Sequence, residues 1–320
     1  MNHSIVQEQR VLISEVSVIP KKQAAVWKRN LPLHFMLLPA MVLLFIYSYL
    51  PILGNVMAFQ IFRPNRGFLG SEWIGLDNFR LVFALPNTLQ VIWNTFFISG
   101  MKIIAGIIIP VLVALLLNEM RSIRVKRVIQ TVIYFPHFLS WVVLAGVLVD
   151  VLSPSTGIIG RIFMALGLEP VFWLGDPAVF PYTMVITEVW KSFGFGTIVY
   201  LAALTSIDPN LYEASEIDGA NRWKQTLHIT LPGLKPIVLL MTVLSMGNVL
   251  NAGFDQIFNL YSPQVFSTGD ILDTMVFRMG MLDAQYGLAT AVGLFRSAVS
   301  FVMLTIAYII AYKYTDYRVF

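Results

Sequence analysis

The sequence predicts an all-α integral membrane protein with six transmembrane helices and both termini in the cytoplasm. The composition, the mean hydropathy and the length of the apolar segments support this fold class. Of the 320 residues, 57% are hydrophobic and only 12% are charged, whereas a soluble globular domain carries about 25% charged residues. The mean hydropathy is +0.72. Several apolar segments reach the length of about 20 residues that a helix needs to cross a bilayer.

Six segments are long and apolar enough to be membrane spans, and the loops between them alternate in length and charge. The predicted spans are Leu33–Ala58, Leu89–Leu117, Val128–Leu152, Tyr182–Leu204, Leu234–Phe258 and Tyr286–Ala311. Together they form a six-helix domain over residues 33–312. An uncleaved cytoplasmic tail is expected at 1–32 and a short cytoplasmic tail at 313–320.

The distribution of lysine and arginine between the loops sets the orientation of the spans. With the N-terminus inside the cell, fourteen of these residues lie in the tails and cytoplasmic loops, and five lie in the outer loops. Cytoplasmic loops of membrane proteins carry such an excess of positive charge. We therefore expect both tails and the loop at 206–233 to be cytoplasmic. The net charge of +4 then reflects membrane anchoring rather than nucleic-acid binding.

The loop at 206–233 contains an ordered polar segment between two apolar spans. Asp208-Pro209 is a strong helix start, because Asp accepts hydrogen bonds from free N–H groups and Pro suits the first helical position. The helix is expected over residues 210–218, and Gly219 is expected to cap it in a left-handed conformation. A helix of about nine residues is unstable alone in water. It therefore needs support from its flanks or from a partner.

A second cytoplasmic helix is expected over Trp223–Leu231. Leu231-Pro232-Gly233 is expected to end this helix and to turn the chain into the fifth span, because the residue before a proline disfavours helical conformation. The first helix carries acidic side chains on its exposed side and small side chains that permit close approach of another surface.

The sequence lacks the motifs of an enzyme. It has no G-x-x-x-x-G-K-[ST] motif, which would bind ATP phosphates, no H-E-x-x-H motif and no cysteine. The histidines are scattered, and each is interpreted as structural rather than as a metal ligand: His3, His34, His137 and His228. We therefore predict a chain that is not catalytic and binds no metal or cofactor of its own.

Polar residues lie near the middle of several predicted spans, where a charge costs at least about 2.5–3.5 kcal/mol and usually faces protein or water. One interpretation is an aromatic-lined polar path for a hydrophilic solute such as a sugar. The spacing of two asparagines and an aspartate in the fifth span places them on one helical face. The candidate path residues are Trp190, Lys191, Asn248, Asn251, Asp255, Tyr286 and Arg296.

A structural interpretation of the same charges stays open, in which Lys102 and Arg296 pair with other residues or with a partner protein. The intramembrane cations Lys102, Lys191 and Arg296 also favour an acidic solute, such as a uronate oligosaccharide from alginate or pectin. Glu188 and Asp255 can neutralise these cations, so the charge pattern alone does not decide between the two solute classes.

A distinctive pattern occupies the cytoplasmic loop: Glu213-Ala214-Ser215, then Gly219, then Ile229-x-Leu231-Pro232. It resembles the EAA loop of the permease subunits of bacterial ATP-binding-cassette (ABC) importers, with Ser215 where that motif often has alanine. The similarity covers nearly the whole chain from Leu33 and is greatest to permeases for oligosaccharides or polysaccharide fragments. Its further residues are Leu38-Pro39, Tyr49-Leu50-Pro51, Gly54, Ala58-Phe59, Trp73-x-Gly75-Leu76-x-Asn78-Phe79, Leu115-Leu116-Leu117-Asn118-Glu119, Trp190-Lys191, Tyr200-Leu201-Ala202-Ala203-Leu204 and Asp208-Pro209-x-Leu211-Tyr212-Glu213-Ala214.

The resemblance implies a type I ABC importer fold and a role in solute uptake across the inner membrane of a bacterium. This chain would form half of the pore with a second, non-identical permease. Two ATP-binding subunits, which hold ATP and Mg²⁺, would dock on the cytoplasmic loop, and an extracytoplasmic binding protein would deliver a carbohydrate. The residues that match the docking motif are Leu211, Tyr212, Glu213, Ala214, Ser215, Asp218, Gly219 and Ala220.

Two other functions fit parts of the sequence. An ion-coupled secondary carrier would use Glu188, Lys191 and Asp255 as a relay and would transport without any ATPase. A membrane assembly or sensor protein would use the cytoplasmic loop as a docking site and would carry no solute.

Overall fold

The computed structural model describes residues 23–315, and helices dominate this range. The predicted tails at 1–32 and 313–320 fall mostly outside it. The chain forms two compact units, Met1–Asn55 and Val56–Phe320. The buried core of the described residues lies in the second unit.

The described part of the first unit contains helix α1 (Gln23–Leu44), which continues through a π turn (Phe45–Tyr49) into a 3₁₀ segment (Leu50–Phe59). The last four residues of that segment belong to the second unit. The apolar side chains from Leu31 to Leu53 along this segment are largely exposed, as expected of a surface that faces lipid. The π turn lies directly before Leu50-Pro51. Because a proline ring collides with the carbonyl four residues earlier, a wider turn at that point relieves the clash.

The second unit is built from helices joined by short turns and one small sheet. In chain order its elements are β1 (Gln60–Ile61), α2 (Gly67–Gly70), β2 (Glu72–Trp73), α3 (Asp77–Ala84), α4 (Thr88–Asn118), α5 (Ile123–Tyr134), α6 (Trp141–Leu152), α7 (Ile158–Ala165), α8 (Phe180–Leu204), α9 (Pro209–Ile217), α10 (Arg222–Gln225), α11 (Leu231–Met246), α12 (Phe254–Leu260), α13 (Phe266–Gly269), α14 (Leu272–Phe277) and α15 (Tyr286–Thr315). Further 3₁₀ and π turns lie at Phe135–Phe138, Thr226–Thr230, Pro263–Val265 and Arg278–Leu282.

The all-α prediction missed one small sheet. Strands β1 and β2 are antiparallel, with Gln60 opposite Trp73 and Ile61 opposite Glu72. The side chain of Asn78 stabilises the hairpin by donating to the carbonyl oxygens of Ala58 and Gln60, at 2.9 and 3.0 Å. The sheet is too short to change the fold class, which is helical as predicted.

Within residues 23–315, four helices are long and apolar enough to cross a membrane: Asn30–Phe59, Thr88–Asn118, Arg222–Met246 and Tyr286–Ile310. A bent pair, Ile123–Phe138 with Trp141–Leu152, is a fifth if it forms one span. Helix α8 has the length of a span, but Glu188 and Lys191 near its middle lower its hydropathy. The count of six spans therefore stays a prediction.

The predicted third span, Val128–Leu152, is wrong as a continuous helix. The chain bends by 105° between Phe138 and Trp141. Pro136 lies in the 3₁₀ turn before the bend, and Ser140 starts the next helix by accepting a hydrogen bond from the Val143 N–H at 3.3 Å. The apolar composition continues across this boundary, so hydropathy did not reveal the break.

The predicted boundary between the cytoplasmic loop and the fifth span is also wrong. The helix does not end at Leu231-Pro232-Gly233; it runs without interruption from Arg222 to Met246. A π turn at Thr226–Thr230 precedes Pro232. As in the first unit, this wider turn relieves the clash between the proline ring and the carbonyl four residues earlier. The fifth span then stops at Met246, twelve residues before the predicted end at Phe258.

Helices α4 and α8 form the most extensive helix pair of the structure. Helix α5 crosses α8 at Gly194, where an added Cβ would lie 2.0 Å from the carbonyl oxygen of Ile133. Only a glycine permits this approach of two backbones. The close crossing fixes the C-terminal end of α5, the first helix of the bent pair, against the helix that carries Glu188.

Replacing Gly194 with alanine is therefore expected to force α5 away from α8. Overpacking of this kind costs about 1–3 kcal/mol, which should lower the Tm of the purified protein in detergent. Gly100→Ala on α4 is the matched control, because no atom lies within 4 Å of its added Cβ. Equal Tm values for the two variants would contradict the close crossing.

Candidate functional site

The fifth span is interrupted in the interior of the second unit. Helix α11 ends at Met246, and helix α12 starts only at Phe254. Between them the chain turns, and Gly253 adopts a left-handed conformation with φ of +90°. Glycine adopts this conformation without the steric cost that a Cβ atom imposes. The interruption removes the helical hydrogen bonds of several carbonyl groups at the depth of the spans.

Three side chains from neighbouring helices donate to the carbonyl oxygens of this interruption. Ser99 of α4 bonds to the carbonyl of Val249. Lys102 of α4 donates through Nζ to the carbonyl of Ala252 at 2.6 Å.

The third donor comes from the last span. Arg296 of α15 donates through Nε to the carbonyl of Leu250 at 3.0 Å. Non-helical backbone at membrane depth is tolerated only where protein or a water-filled cavity satisfies it, and these three bonds meet that condition. Lys102 and Arg296 therefore pair with other groups of the chain, as the structural interpretation of these charges expected.

Gln256 completes the connection between the helices around the interruption. Its side chain is fully buried and accepts a hydrogen bond from Lys102. Its amide nitrogen donates to the carbonyl oxygen of Met184 at 2.9 Å and to Thr187 Oγ1 at 2.7 Å, both on α8. One amide side chain thus joins α4, α8 and α12.

A polar cavity of about 680 Å³ lies beside the interruption. This volume falls within the range of about 300–1,000 Å³ that is typical of small-molecule sites. The wall combines hydroxyl, amide and charged groups with two aromatic rings. The lining residues are Ser99, Lys102, Ile103, Gly106, Trp141, Glu188, Ser192, Ser245, Asn248, Asn251, Ala252, Gly253, Phe254, Asp255, Gln256, Asp273 and Arg296.

The charges of the cavity wall are mixed. Asp273 of α14 forms an ion pair with Arg296, so that Arg296 contacts both a carboxylate and a backbone carbonyl. Glu188 lies half-buried on α8, and Asp255 is exposed in the first turn of α12. The wall thus holds two cationic and three carboxylate side chains, a pattern that offers both donors and acceptors to a hydroxyl-rich solute.

The structure brings some of the predicted path residues together. Asn248, Asn251, Asp255 and Arg296 all line the cavity. The proposed reason for their proximity was wrong, because the first three do not lie on one helical face. They lie on the non-helical interruption and on the first turn of α12. Their role in binding a solute is not tested by this arrangement and stays a prediction.

The other predicted path residues lie elsewhere. Trp190 is 44% exposed on the outside of α8. Lys191 donates to the carbonyl oxygen of His137 at 3.2 Å, and its Nζ lies 5.5 Å from the ring centroid of Trp141. Tyr286 packs edge-on against Phe62 at the start of α15. None of the three is among the residues that line the cavity.

Several cavity residues were absent from the predicted set. Lys102 and Glu188 had a sequence signal, because each is a charge within a predicted span, and that signal indicates a polar environment. Ser99 and Gln256 had none, since hydroxyls and amides are common in helices and their partners are more than 60 residues away in the chain. Within residues 23–315, no cluster of histidine and carboxylate side chains is able to hold a metal ion.

A second polar cavity, of about 820 Å³, lies near the start of α4 and is lined in part by Gln90, Asp270 and Arg278. Arg278 pairs with Asp270 at 2.5 Å and lies 4.9 Å from the ring centroid of Phe266. The hydrogen bond from Arg278 to Asp270 raises the pKa of Arg278 above its ordinary value. Helix α14 contributes residues to both cavities, with Asp273 lining the first and Met275 the second.

The loop at 206–233 forms a capped helix, α9, as predicted. Asp208 accepts a hydrogen bond from the Asn210 N–H at 2.9 Å, and Pro209 is the first helical residue. At the other end, Gly219 has a φ of +75°. The Gly219 N–H donates to the carbonyl of Glu216 at 3.0 Å, and the Ala220 N–H donates to that of Ser215 at 2.9 Å. This pair of bonds is the Schellman motif.

Two of the predicted docking residues hold α9 to the following helix. The hydroxyl groups of Tyr212 and Thr230 lie 3.0 Å apart. Gln225 donates through Nε2 to Ser215 Oγ at 3.0 Å. Both contacts lie between α9 and the helix that leads into the membrane, so Tyr212 and Ser215 support α9 from within the chain.

The opposite surface of α9 is exposed and combines apolar with acidic groups. Ile217 is 88% exposed and Leu211 52%, and the acidic side chains are also exposed. Within the described residues nothing covers this surface. The predicted docking residues on it are Leu211, Glu213, Ala214, Asp218 and Gly219, while Ala220 is half-buried at the cap.

The family described as binding-protein-dependent transport system inner membrane component matches residues 106–316. This match covers the loop that carries α9, the interrupted fifth span and most of the cavity wall. The chain belongs to this family. It is a permease subunit of a type I ABC importer, as the cytoplasmic loop predicted, and not an ion-coupled carrier or a sensor.

Curated relatives match the permease over almost its full length. Protein LplB of Bacillus subtilis (strain 168) is 36% identical over 92% of this chain and 93% of its own. The polygalacturonan/rhamnogalacturonan transport system permease protein YteP of the same organism is 35% identical over 89% of this chain and 88% of its own.

A solved structure is also similar to the permease. It is a chain of a bacterial ABC transporter involved in the import of the acidic polysaccharide alginate, with a TM-score of 0.85 and 37% identity. The match covers 92% of this chain and 100% of that one. A second similar structure is that of a bacterial alginate ABC transporter in complex with an alginate pentasaccharide-bound periplasmic protein. Its matching chain has a TM-score of 0.85 and 36% identity to this permease.

The role of Lys102 in the permease leads to a stability prediction. Lys102→Met removes the donor to the carbonyl of Ala252 and to Gln256, and each buried acceptor left without a partner costs about 1–3 kcal/mol. We expect a lower Tm of the purified permease. Lys235→Met, at an exposed position of α11, makes the same chemical change and should leave the Tm unchanged. An unchanged Tm for Lys102→Met would contradict the assigned bonds.

Proposed function

We propose that this permease forms half of the path for an oligosaccharide in an ATP-driven importer, and that the cavity beside the interrupted fifth span is its solute site. The cavity carries the proposal, because its wall presents the groups that recognise sugars. Amides and charged groups bind hydroxyls, and the rings of Trp141 and Phe254 offer apolar surfaces to sugar ring faces. Binding sites at the break of a discontinuous membrane helix follow the same logic in other transporters.

The proposed assembly contains a second, non-identical permease, two ATP-binding subunits and an extracytoplasmic binding protein, in the inner membrane of a bacterium. ATP and Mg²⁺ would be held by the ATP-binding subunits. Six spans with both termini in the cytoplasm, as the sequence predicts, would put α9 on the side where these subunits would lie. The exposed apolar and acidic surface of α9 supports docking there, since a short helix with 88% of Ile217 exposed gains stability from a partner.

The proposed solute is an acidic oligosaccharide. Two similar proteins support this choice by their names, which refer to alginate and to polygalacturonan/rhamnogalacturonan. Lys102 and Arg296 on the cavity wall supply positive charge for a uronate. The carboxylates of Glu188, Asp255 and Asp273 on the same wall favour a neutral oligosaccharide, which is therefore the second candidate.

Uptake into proteoliposomes that contain the complete complex, the binding protein and ATP tests both proposals. Oligogalacturonate, oligoalginate and maltotetraose are the acidic and neutral probes. Glu213→Arg reverses a charge on the exposed side of α9 and is expected to reduce uptake at least about tenfold, a change of about 1.4 kcal/mol. Glu213→Gln, which keeps the side-chain shape, is expected to lose much less.

Normal uptake by the Glu213→Arg complex would contradict docking on α9. Uptake of maltotetraose alone would select the neutral solute, and uptake that continues without any ATP-binding subunit would contradict the proposed importer as a whole.

A further inference from the structure

An ion pair joins the cytoplasmic loop to the helix that carries Lys102. Arg222 donates through its guanidinium nitrogen to Glu119 Oε2 at 2.7 Å, across 103 residues of chain. Glu119 directly follows the last residue of α4, and Arg222 is the first residue of α10. The Arg222 and Glu119 side chains are 63% and 45% exposed, so the pair lies at the surface, at the end of the unit that is predicted to be cytoplasmic.

Neither residue is placed to stabilise its own helix. The C-terminus of a helix carries partial negative charge, and its N-terminus carries partial positive charge. Glu119 lies at the C-terminus of α4, and Arg222 lies at the N-terminus of α10, so each charge has the unfavourable sign for its helix. An exposed pair adds only about 0–1 kcal/mol. Stability of the separate helices therefore does not account for this arrangement.

The pair instead connects two parts of the permease. Helix α9 is joined to α10 and the following turn through Ser215–Gln225 and Tyr212–Thr230. Arg222 extends this connection to the end of α4, and α4 is the helix whose Ser99 and Lys102 bond to the interrupted fifth span. A displacement of α9 thus has a direct route to the cavity wall.

We propose that the Glu119–Arg222 ion pair is a positioning contact that transmits the displacement of α9 to α4. Glu119 and Arg222 lie outside the α9 docking surface, so the pair is a second requirement for coupling. The inference rests on the proposed docking of ATP-binding subunits on α9. It assigns a role in coupling ATP hydrolysis to solute movement, and no role in binding ATP or solute.

Charge reversal tests the proposal in the reconstituted complex, with oligogalacturonate or, if the neutral solute is selected, maltotetraose as the probe. Glu119→Arg and Arg222→Glu each place two like charges together. Each is expected to lower the solute taken up per ATP hydrolysed by at least about fivefold, the lower end of coupling between distant sites. The double reversal restores the pair and should return this ratio to within about twofold of the original permease.

Stability separates the coupling role from a structural one. Glu119→Arg loses an exposed ion pair but replaces an unfavourable charge at the end of α4, and these effects are of similar size. The Tm should therefore change little while the uptake per ATP falls. The control is the exposed pair Asp77–Arg80, at 2.9 Å on α3. Its single reversals should leave the uptake per ATP hydrolysed unchanged.

Single reversals at 119 and 222 with a normal uptake ratio would overturn the proposal, and so would a double reversal that stays uncoupled. In either case Glu213→Arg should still reduce uptake at least about tenfold if docking on α9 is correct. Failure of the proposed ion-pair role is thereby distinguished from failure of the proposed importer function.

Discussion

The structure depends on one constraint: backbone carbonyls that leave a helix inside the membrane must still accept hydrogen bonds. The fifth span stops at Met246, and the chain passes through a non-helical segment before Phe254. Ser99, Lys102 and Arg296 donate to the carbonyls of this segment. Without them, polar backbone would be exposed to an apolar environment at a cost of several kcal/mol for each group. The interruption and its donors therefore form a single structural feature.

The same feature creates the polar cavity. A continuous helix would present side chains alone, whereas the interruption places Asn248, Asn251 and Asp255 around a volume of about 680 Å³. The donors stand on α4 and α15, and Gln256 extends the contacts to α8. A movement of any of these helices changes the cavity. In the proposed importer, α4 would be the route by which α9 affects the proposed solute site.

Much of this architecture was predictable from the sequence, and the failures have a common cause. The caps of α9 were predicted because Asp208, Pro209 and Gly219 act on adjacent backbone groups. The break at Phe138–Trp141 was missed because the apolar composition continues across it. The break at Met246–Phe254 was missed because Asn248 and Asn251 were interpreted as one polar face of a continuous helix. Lys102 was recognised as an unusual charge, but its partner is the carbonyl of Ala252, 150 residues away. Contacts of this kind, between residues far apart in the chain, cannot be recognised from the local pattern of the sequence.

Accessibility of the interruption is the most direct test of this account. The chain has no cysteine, so Asn251→Cys, at an exposed position of the cavity wall, introduces a single reporter thiol. In a complex with cysteine-free partners, a membrane-impermeant thiol reagent should label it from the cytoplasmic side without nucleotide, and from the outer side when ATP and the loaded binding protein are present. Labelling from one side only, with the same rate in both conditions, would contradict an ATP-driven path through the interrupted span.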